Sequence, residues 1–257
     1  MKTTQVGTLR VVAYADKSEA GKAAANETAN EIIRLAALQD EIGVIFATGA
    51  SQLETLRYLR ERADVPWEKV IGFHMDEYVG LLPEHRASFR GYLRKELPQQ
   101  ATMKHFYELD ATAMPLEVSC EIYARELKRA NPQICLLGIG ENGHIAFNDP
   151  WEADFNDPRD VKLVRLDDPC REQQQAEGWF DQLEDVPDEA LSLTIPALMR
   201  VPKLVASVPG ARKRAIVKKV LEVQISTECP ATILRTHPNA TLYLDCESSG
   251  EIASLLH

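Results

Sequence analysis

Along most of this chain, short apolar runs alternate with longer segments whose apolar residues recur at helical spacing. Leu9 to Tyr14, Val44 to Ala47, Val70 to Met75 and Ile134 to Ile139 are compact runs that predict buried strands. Between them, the Ala-rich stretch from about Ser18 to Gln39, the stretch after Ser51 through Arg62, and Pro115 to Ala130 predict helices. Further strands are predicted at Val161 to Leu166, Leu191 to Ile195, Lys203 to Val208 and Thr241 to Asp245, with helices over Ala211 to Glu222 and Ser248 to Leu256. This alternation predicts an α/β fold, a mostly parallel sheet covered by helices on both faces. No low-complexity linker, internal repeat or compositional break interrupts residues 1–257, which read as a single domain.

Composition narrows the function classes. A net charge of −10 argues against a nucleic-acid partner, because phosphate backbones demand a basic surface. It leaves room for a local cationic pocket. No apolar run approaches the length of a membrane span, and Met1 to Gln5 lacks the apolar core of a secretory signal. The five cysteines (Cys120, Cys135, Cys170, Cys229, Cys246) form an odd set without a CxxC pair, which predicts reduced thiols in the cytoplasm. The six histidines show no metal-ligand spacing, and no cofactor or metal is expected.

Chemistry-bearing residues collect at predicted strand ends, where open α/β sheets bind ligands. The run Ile134 to Leu137 breaks into Gly138, Gly140 and Gly143, then presents His144, Asn142, Glu141, Asn148 and Asp149 within a few positions. A histidine near a carboxylate suits proton transfer near neutrality. Thr48, Gly49, Ala50 and Ser51 follow another strand and precede a helix, a setting whose free N–H groups and dipole favour an anion. Ser51 serves equally well as an ordinary helix cap. Gly210 to Lys213 repeats the strand, glycine turn and helix, now with cations in the first turn. There a bound anion would turn the unfavourable dipole contact of Lys213 into a favourable one. At the third strand end, Asp76 and Glu77 form an acidic pair. One is a candidate general base with a pKa raised by burial, and Glu77 is the candidate for holding local structure. His74 reads as structural, and His85 is placed where it could line the same cleft. Together these groups suggest proton-transfer chemistry on a phosphorylated small molecule.

Gly138-Ile139-Gly140-Glu141-Asn142-Gly143-His144-Ile145-Ala146-Phe147-Asn148-Asp149-Pro150 resembles one signature of the glucosamine-6-phosphate deaminases, and Met75-Asp76-Glu77-Tyr78-Val79-Gly80-Leu81 resembles a second. Their order and separation match too, as do the Thr48-Gly49 loop and the Gly210 to Lys213 turn, so the resemblance spans nearly the whole chain. It implies a Rossmann-like three-layer α/β/α fold shared with 6-phosphogluconolactonases, and conversion of glucosamine 6-phosphate and water to fructose 6-phosphate and ammonia. In that chemistry His144 would open the pyranose ring, Asp76 would move a proton between C2 and C1, and Asp149 would orient His144, with Asn142 beside them. Lys213 and the backbone of Thr48, Gly49, Ala50 and Ser51 would hold the phosphate. Arg171 would also reach it, and Glu77, Tyr78, Gly140 and Gly143 would line the site. The resemblance further implies that a homo-oligomer is open to this chain.

The chain departs from the family pattern in places. The family usually has glutamate where Asp149 stands, so the shorter side chain reaches His144 only if the loop draws in. Asn142 stands where many members have aspartate, and Trp151, Glu152 and Asp154 replace smaller residues expected around the pocket. Two other readings compete. A 6-phosphogluconolactonase would use His144 to activate water, but that family usually has arginine after the acidic pair, where this chain has Tyr78. A non-catalytic sugar-phosphate-binding protein is the second. The DNA-binding form of such a sensor needs an appendage, for which a first strand near residue 8 leaves no room.

Overall fold

The computed structural model describes residues 1–257, apart from the side chain of Gln100. In chain order the first half comprises β1 (Lys2–Val6), β2 (Leu9–Ala13), α1 (Lys17–Ala36), β3 (Ile42–Phe46), α2 (Leu53–Arg60), β4 (Val70–His74), β5 (Asp76–Tyr78), α3 (Phe89–Glu96), β6 (His105–Tyr107) and α4 (Leu116–Ala130). The second comprises β7 (Ile134–Leu137), β8 (Val161–Arg165), α5 (Asp168–Ala176), β9 (Glu189–Leu193), α6 (Ile195–Met199), β10 (Lys203–Ser207), α7 (Arg214–Glu222) and β11 (Ala240–Leu244). Eight strands form one sheet in the order β1-β2-β11-β10-β7-β3-β4-β6. Every pairing in it is parallel except the β1–β2 hairpin.

The strands read as nearly unbroken apolar runs because both sheet faces are covered. Val12, Val44, Phe46, Val70, Leu136 and Val205 face α1, α2 and α3, where Ala25, Ile32, Leu56, Leu59 and Leu93 complete the layer. Alternate residues, among them Val11, Ile45, Phe73, Leu137, Leu204 and Leu242, face the opposite way. They pack on Tyr123 and Leu127 of α4, Leu198 of α6 and Val217 and Val220 of α7. The period of two along each strand therefore builds the three-layer α/β/α arrangement.

Val161 to Leu166 and Leu191 to Ile195 hold strands as expected, but these lie outside the mostly parallel sheet. β8 and β9 pair antiparallel with each other and with β5, making a separate three-stranded sheet. Ile195 opens α6 rather than closing a strand. A third apolar cluster (Tyr78, Phe147, Val164, Leu166, Cys170, Phe180, Val186, Ala190) lies between this small sheet and α5. The strand expected at Leu9 to Tyr14 is β2, an additional strand, β1, precedes it from Lys2 to Val6, and the C-terminal helix is a 3-10 segment, Gly250–Leu255. No helix among the described residues is long and apolar enough to cross a membrane.

Candidate active site

Loops at the carboxyl ends of β3, β4, β7 and β10 converge on a cavity of about 420 Å³. That is within the range of small-molecule sites, about 300–1,000 Å³. Thr48, Gly49, Ala50, Ser51, Asp76, Gly140, His144 and Lys213 all line it. Asn142, Gly143 and Asp149 stand behind this wall, and Glu77, Tyr78 and Arg171 lie outside it.

The two candidate anion cradles share one backbone design. Gly49 (φ 88°) and Gly210 (φ 97°) sit in backbone conformations that L side chains rarely adopt, and each precedes a 3-10 turn that runs into a helix. The first N–H groups of such a segment have no helical partner. The Gly210 N–H is held by both Asp245 carboxylate oxygens, at 3.1 and 3.0 Å, which anchors the second cradle to the end of β11. The first is anchored through buried Gln52, whose amide donates to the Ser51 hydroxyl and to the carbonyl oxygens of Leu137 and Ser207. Lys213 is only 9% exposed, and burial pushes its pKa down, opposed in part by Glu177 and Glu141. An anion in the cleft would supply the charge that this ammonium lacks.

Asp76 is the first residue of β5, two positions beyond the end of β4, so its carboxylate lies where the chain leaves one sheet and enters the other. It is 6% exposed, and Oδ1 has no hydrogen-bond partner. Burial, reinforced by the neighbouring Glu77 charge, raises its pKa well above the ordinary carboxylate value. A carboxylate with these properties is a stronger base than aspartate in water. His74, by contrast, is structural. Its Nε2 accepts the Leu109 N–H at 2.8 Å, so Nδ1 donates to the Asp76 carbonyl and the ring is neutral. Burial lowers its pKa accordingly.

The loop after β7 folds back on itself. Gly140 donates its N–H to the His144 carbonyl, and the imidazole lies directly over Gly140, where a Cβ would come within 2.2 Å of the ring. Asn142 accepts the His144 N–H through Oδ1 and donates through Nδ2 to Asp149 Oδ1 at 2.8 Å. That second bond suits an amide, since an ionised aspartate at 142 has no proton to give. Asp149 is fully buried, with Oδ1 2.9 Å from His144 Nδ1 and Oδ2 without a partner. The 2.9 Å contact is close but not aligned as a hydrogen bond. The loop therefore draws in far enough for the shorter side chain. Burial pushes the Asp149 pKa up, but His144, the Asn142 amide and the Cys170 thiol outweigh it and hold the carboxyl below its usual value. Gly143 (φ 95°) closes against Cys229, and Asn148 donates to the Ile145 and Leu193 carbonyls, tying the loop to the small sheet.

Several expected positions are corrected. The Arg171 guanidinium is taken up by the carbonyls of Leu183 and Val186 and pairs with Asp188, so it braces α5 rather than facing the cavity. Glu77 accepts from the N–H groups of Tyr78, Phe89 and Arg90, the Ser88 hydroxyl and Arg90 Nε. It fixes the start of α3, the structural duty read for it from sequence. Tyr78 is fully buried between Phe89, Phe147 and Phe180. His85 accepts the Ala87 N–H and packs on Phe180 outside the cleft. Trp151, Glu152 and Asp154 are also not in the cavity wall, and Glu152 pairs with Lys162.

Sequence reasoning misses one wall altogether, formed by Gln173, Gln174 and Glu177 at the end of α5. Nothing in Asp168–Ala176 has an apolar period. Its only signal is Asp167 followed by Pro169, and Asp167 does cap the helix by accepting the Cys170 N–H. Lys17, Arg212 and Glu247 also line the cleft, and Arg212 pairs with Glu141 at 2.9 Å across its mouth.

Comparisons with known proteins match the chain to one family and fold. The family described as glucosamine-6-phosphate isomerases/6-phosphogluconolactonase matches residues 15–243. A glucosamine-6-phosphate deaminase of Staphylococcus epidermidis is 33% identical over 214 residues, covering 80% of this chain and 85% of that protein. One from Bacillus cereus (strain G9842) is 36% identical over 203 residues, covering 79% and 75%. The solved structure of a monomeric glucosamine-6-phosphate deaminase aligns with a TM-score of 0.85 at 26% identity, over 93% of this chain and 98% of that one. A 6-phosphogluconolactonase from Thermotoga maritima shares the fold, with a TM-score of 0.73 at 20% identity, over 92% and 99% of the two chains.

Proposed function

Since the chain belongs to the glucosamine-6-phosphate isomerase/6-phosphogluconolactonase family, we propose how its cleft carries out the deaminase reaction of its curated relatives, glucosamine 6-phosphate plus water to fructose 6-phosphate plus ammonia. The observation that carries this reading is that a buried carboxylate, Asp76, and a carboxylate-backed imidazole, His144, line one cavity with both anion cradles. The 6-phosphate binds at Lys213 and the N–H groups of the Gly49 and Gly210 turns. His144 takes the anomeric hydroxyl proton and returns it to the ring oxygen, giving the open aldehyde. Asp149 steadies the imidazolium formed between those two transfers.

Ring opening must come first, because only the aldehyde makes the C2 proton acidic. Asp76 removes that proton, leaving an enolamine across C1 and C2 with the C1 oxygen as the enolate, and returns it to C1, while the amine passes one N–H proton to the C1 oxygen to give the C1 hydroxyl. The resulting C2 imine takes up water and releases ammonia, so each proton drawn from the substrate is returned and no oxidant is needed. The raised basicity of Asp76 suits the abstraction. The five unpaired thiols support a reducing compartment, and hence the cytoplasm, as the place of action.

The lactonase reading rests on relatives of the same fold, and a lone binding function would leave the Asp149–His144 pairing without purpose. Ammonia release from glucosamine 6-phosphate, measured beside hydrolysis of 6-phosphogluconolactone, tests the choice. Turnover of the first and not the second is expected. Hydrolysis of the lactone alone would overturn the assignment, as would tight binding of the sugar phosphate with no turnover.

A further inference from the structure

Cys170 plays no part in the proposed chemistry, yet it stands beside the catalytic pair. It is the third residue of α5, 1% exposed, and its sulfur shares a small volume with a nitrogen of His144 and an oxygen of Asp149. The three donor atoms all lie within 4.8 Å of one another. Two observations show this is more than close packing. Asp149 is wholly buried, and although the nearby Cys170 thiol helps hold its carboxyl ionised, its Oδ2 has no aligned hydrogen-bond partner. The Nδ1 of His144 faces it without an aligned hydrogen bond.

From this arrangement the structure assigns to His144, Asp149 and Cys170 a site for a zinc-class cation, which when filled switches off ring opening. Imidazole, carboxylate and thiolate in one cluster are a zinc donor set, whereas magnesium and calcium take six or more oxygens. Zinc bond lengths of about 2.0–2.3 Å put tetrahedral donors about 3.3–3.7 Å apart, so the cluster needs to close by about 1 Å. On binding, the Cys170 thiol gives its proton to solvent and its sulfur lone pair to the metal. The two negative ligands then balance the doubly charged ion, which makes it tolerable in a buried site.

A metal on His144 Nδ1 ends the support from Asp149, and the imidazole no longer alternates between its two protonation states. The phosphate cradles are untouched, because Lys213, Gly49 and Gly210 are not donors. Zinc therefore lowers kcat and leaves KM nearly unchanged. This inhibitory arm rests on the deaminase reading, but binding itself does not.

The test titrates the metal-free protein with Co²⁺ and Zn²⁺, with Mg²⁺ as control. Wild type is expected to bind Co²⁺ with a thiolate-to-cobalt charge-transfer band that Zn²⁺ removes and Mg²⁺ does not. Cys170→Ser should lose that band and weaken Zn²⁺ binding at least tenfold, while Cys246→Ser, at the exposed thiol, should keep both. In the deaminase assay each variant is referred to its own zinc-free rate, and Cys170→Ser should resist Zn²⁺ at concentrations that halve wild-type kcat. A band that survives Cys170→Ser, no band in wild type, or equal Zn²⁺ affinity in both overturns the site. Zinc binding that passes these tests in a protein without deaminase turnover would overturn the reaction assignment and leave the site standing.

Discussion

Replacing Asp76 with asparagine should make the protein more stable and nearly inactive at once. The side chain keeps its size, so the difference is the charge. In the wild type that charge sits 6% exposed beside buried Glu77, with one oxygen unpartnered. Leaving a buried polar group unsatisfied costs about 1–3 kcal/mol, and more for a charged one. About 2 kcal/mol is a fair expectation here, because the other oxygen faces the cleft. For a chain of this length that raises Tm by about 4–8 °C. The sign follows from linkage. Asp76 has a folded pKa above its usual 3.8, so between those two values the folded state holds a proton that the unfolded state has lost. Wild-type stability therefore falls as pH rises through that window. The advantage of the variant should be absent below about pH 4 and full once the folded carboxyl has ionised. Thermal melts of both proteins across pH measure it, while ammonia release should fall about 10²–10⁴-fold with sugar-phosphate affinity retained. A variant that melts lower than wild type at pH 8, or one whose advantage does not change with pH, would refute the buried-charge argument.

The wild-type kcat/KM should lose activity on the acid side at a pH above ordinary aspartate titration, since Asp76 must be ionised to act, and Asp76→Asn should abolish that limb. Lys213→Met should raise KM with kcat changed less, by about 10–100-fold, the worth of a charge-assisted hydrogen bond. Because burial lowers the Lys213 pKa, wild-type KM should rise with pH as the ammonium is lost, and an unaltered KM in the variant would remove Lys213 from the phosphate site. Gly140→Ala puts a methyl group within 2.2 Å of the His144 ring and should cut kcat at least tenfold at near-normal stability, as read by melting and turnover together. Glu77→Ala leaves Arg90 buried without its carboxylate and should cost about 3–5 kcal/mol in denaturant unfolding; a loss of activity without loss of stability would mean that Glu77 acts in the chemistry.

How much of this was legible in the sequence depended on the type of signal. The parallel strands were readable because burial on both faces makes them apolar throughout, as in Ile42–Phe46 and Ile134–Leu137. Asp76, His144 and the glycine turns were readable because they follow those runs directly. β5 was not, since its residues are two acids and a tyrosine whose burial depends on Ser88 and Arg90 at the start of the next helix and on the small-sheet strand β9, more than a hundred residues away. The α5 wall was hidden for a related reason: a helix whose buried residues are Cys170, Gln173 and Gln174, only the first of them apolar, shows no apolar period. Arg171 had the right charge but not the right surroundings, because Leu183, Val186 and Asp188 claim it from a neighbouring loop. Trp151 marks the reverse error, an unusual residue beside the motif that lies on the surface, 53% exposed.

Asp76 begins the small sheet only two residues after the large sheet ends, and that sheet shares its apolar cluster with α5. The residues that would select a substrate from the α5 side and the residue that would deprotonate it are therefore carried on one body. Mutations that remodel Gln173, Gln174 or Glu177 for a different sugar would tilt the small sheet and re-aim the base with it. A change of specificity in this scaffold would then arrive with a change in rate, and recovering one without losing the other calls for compensating substitutions beneath the sheet, at positions such as Phe147 and Ala190, rather than in the cleft itself.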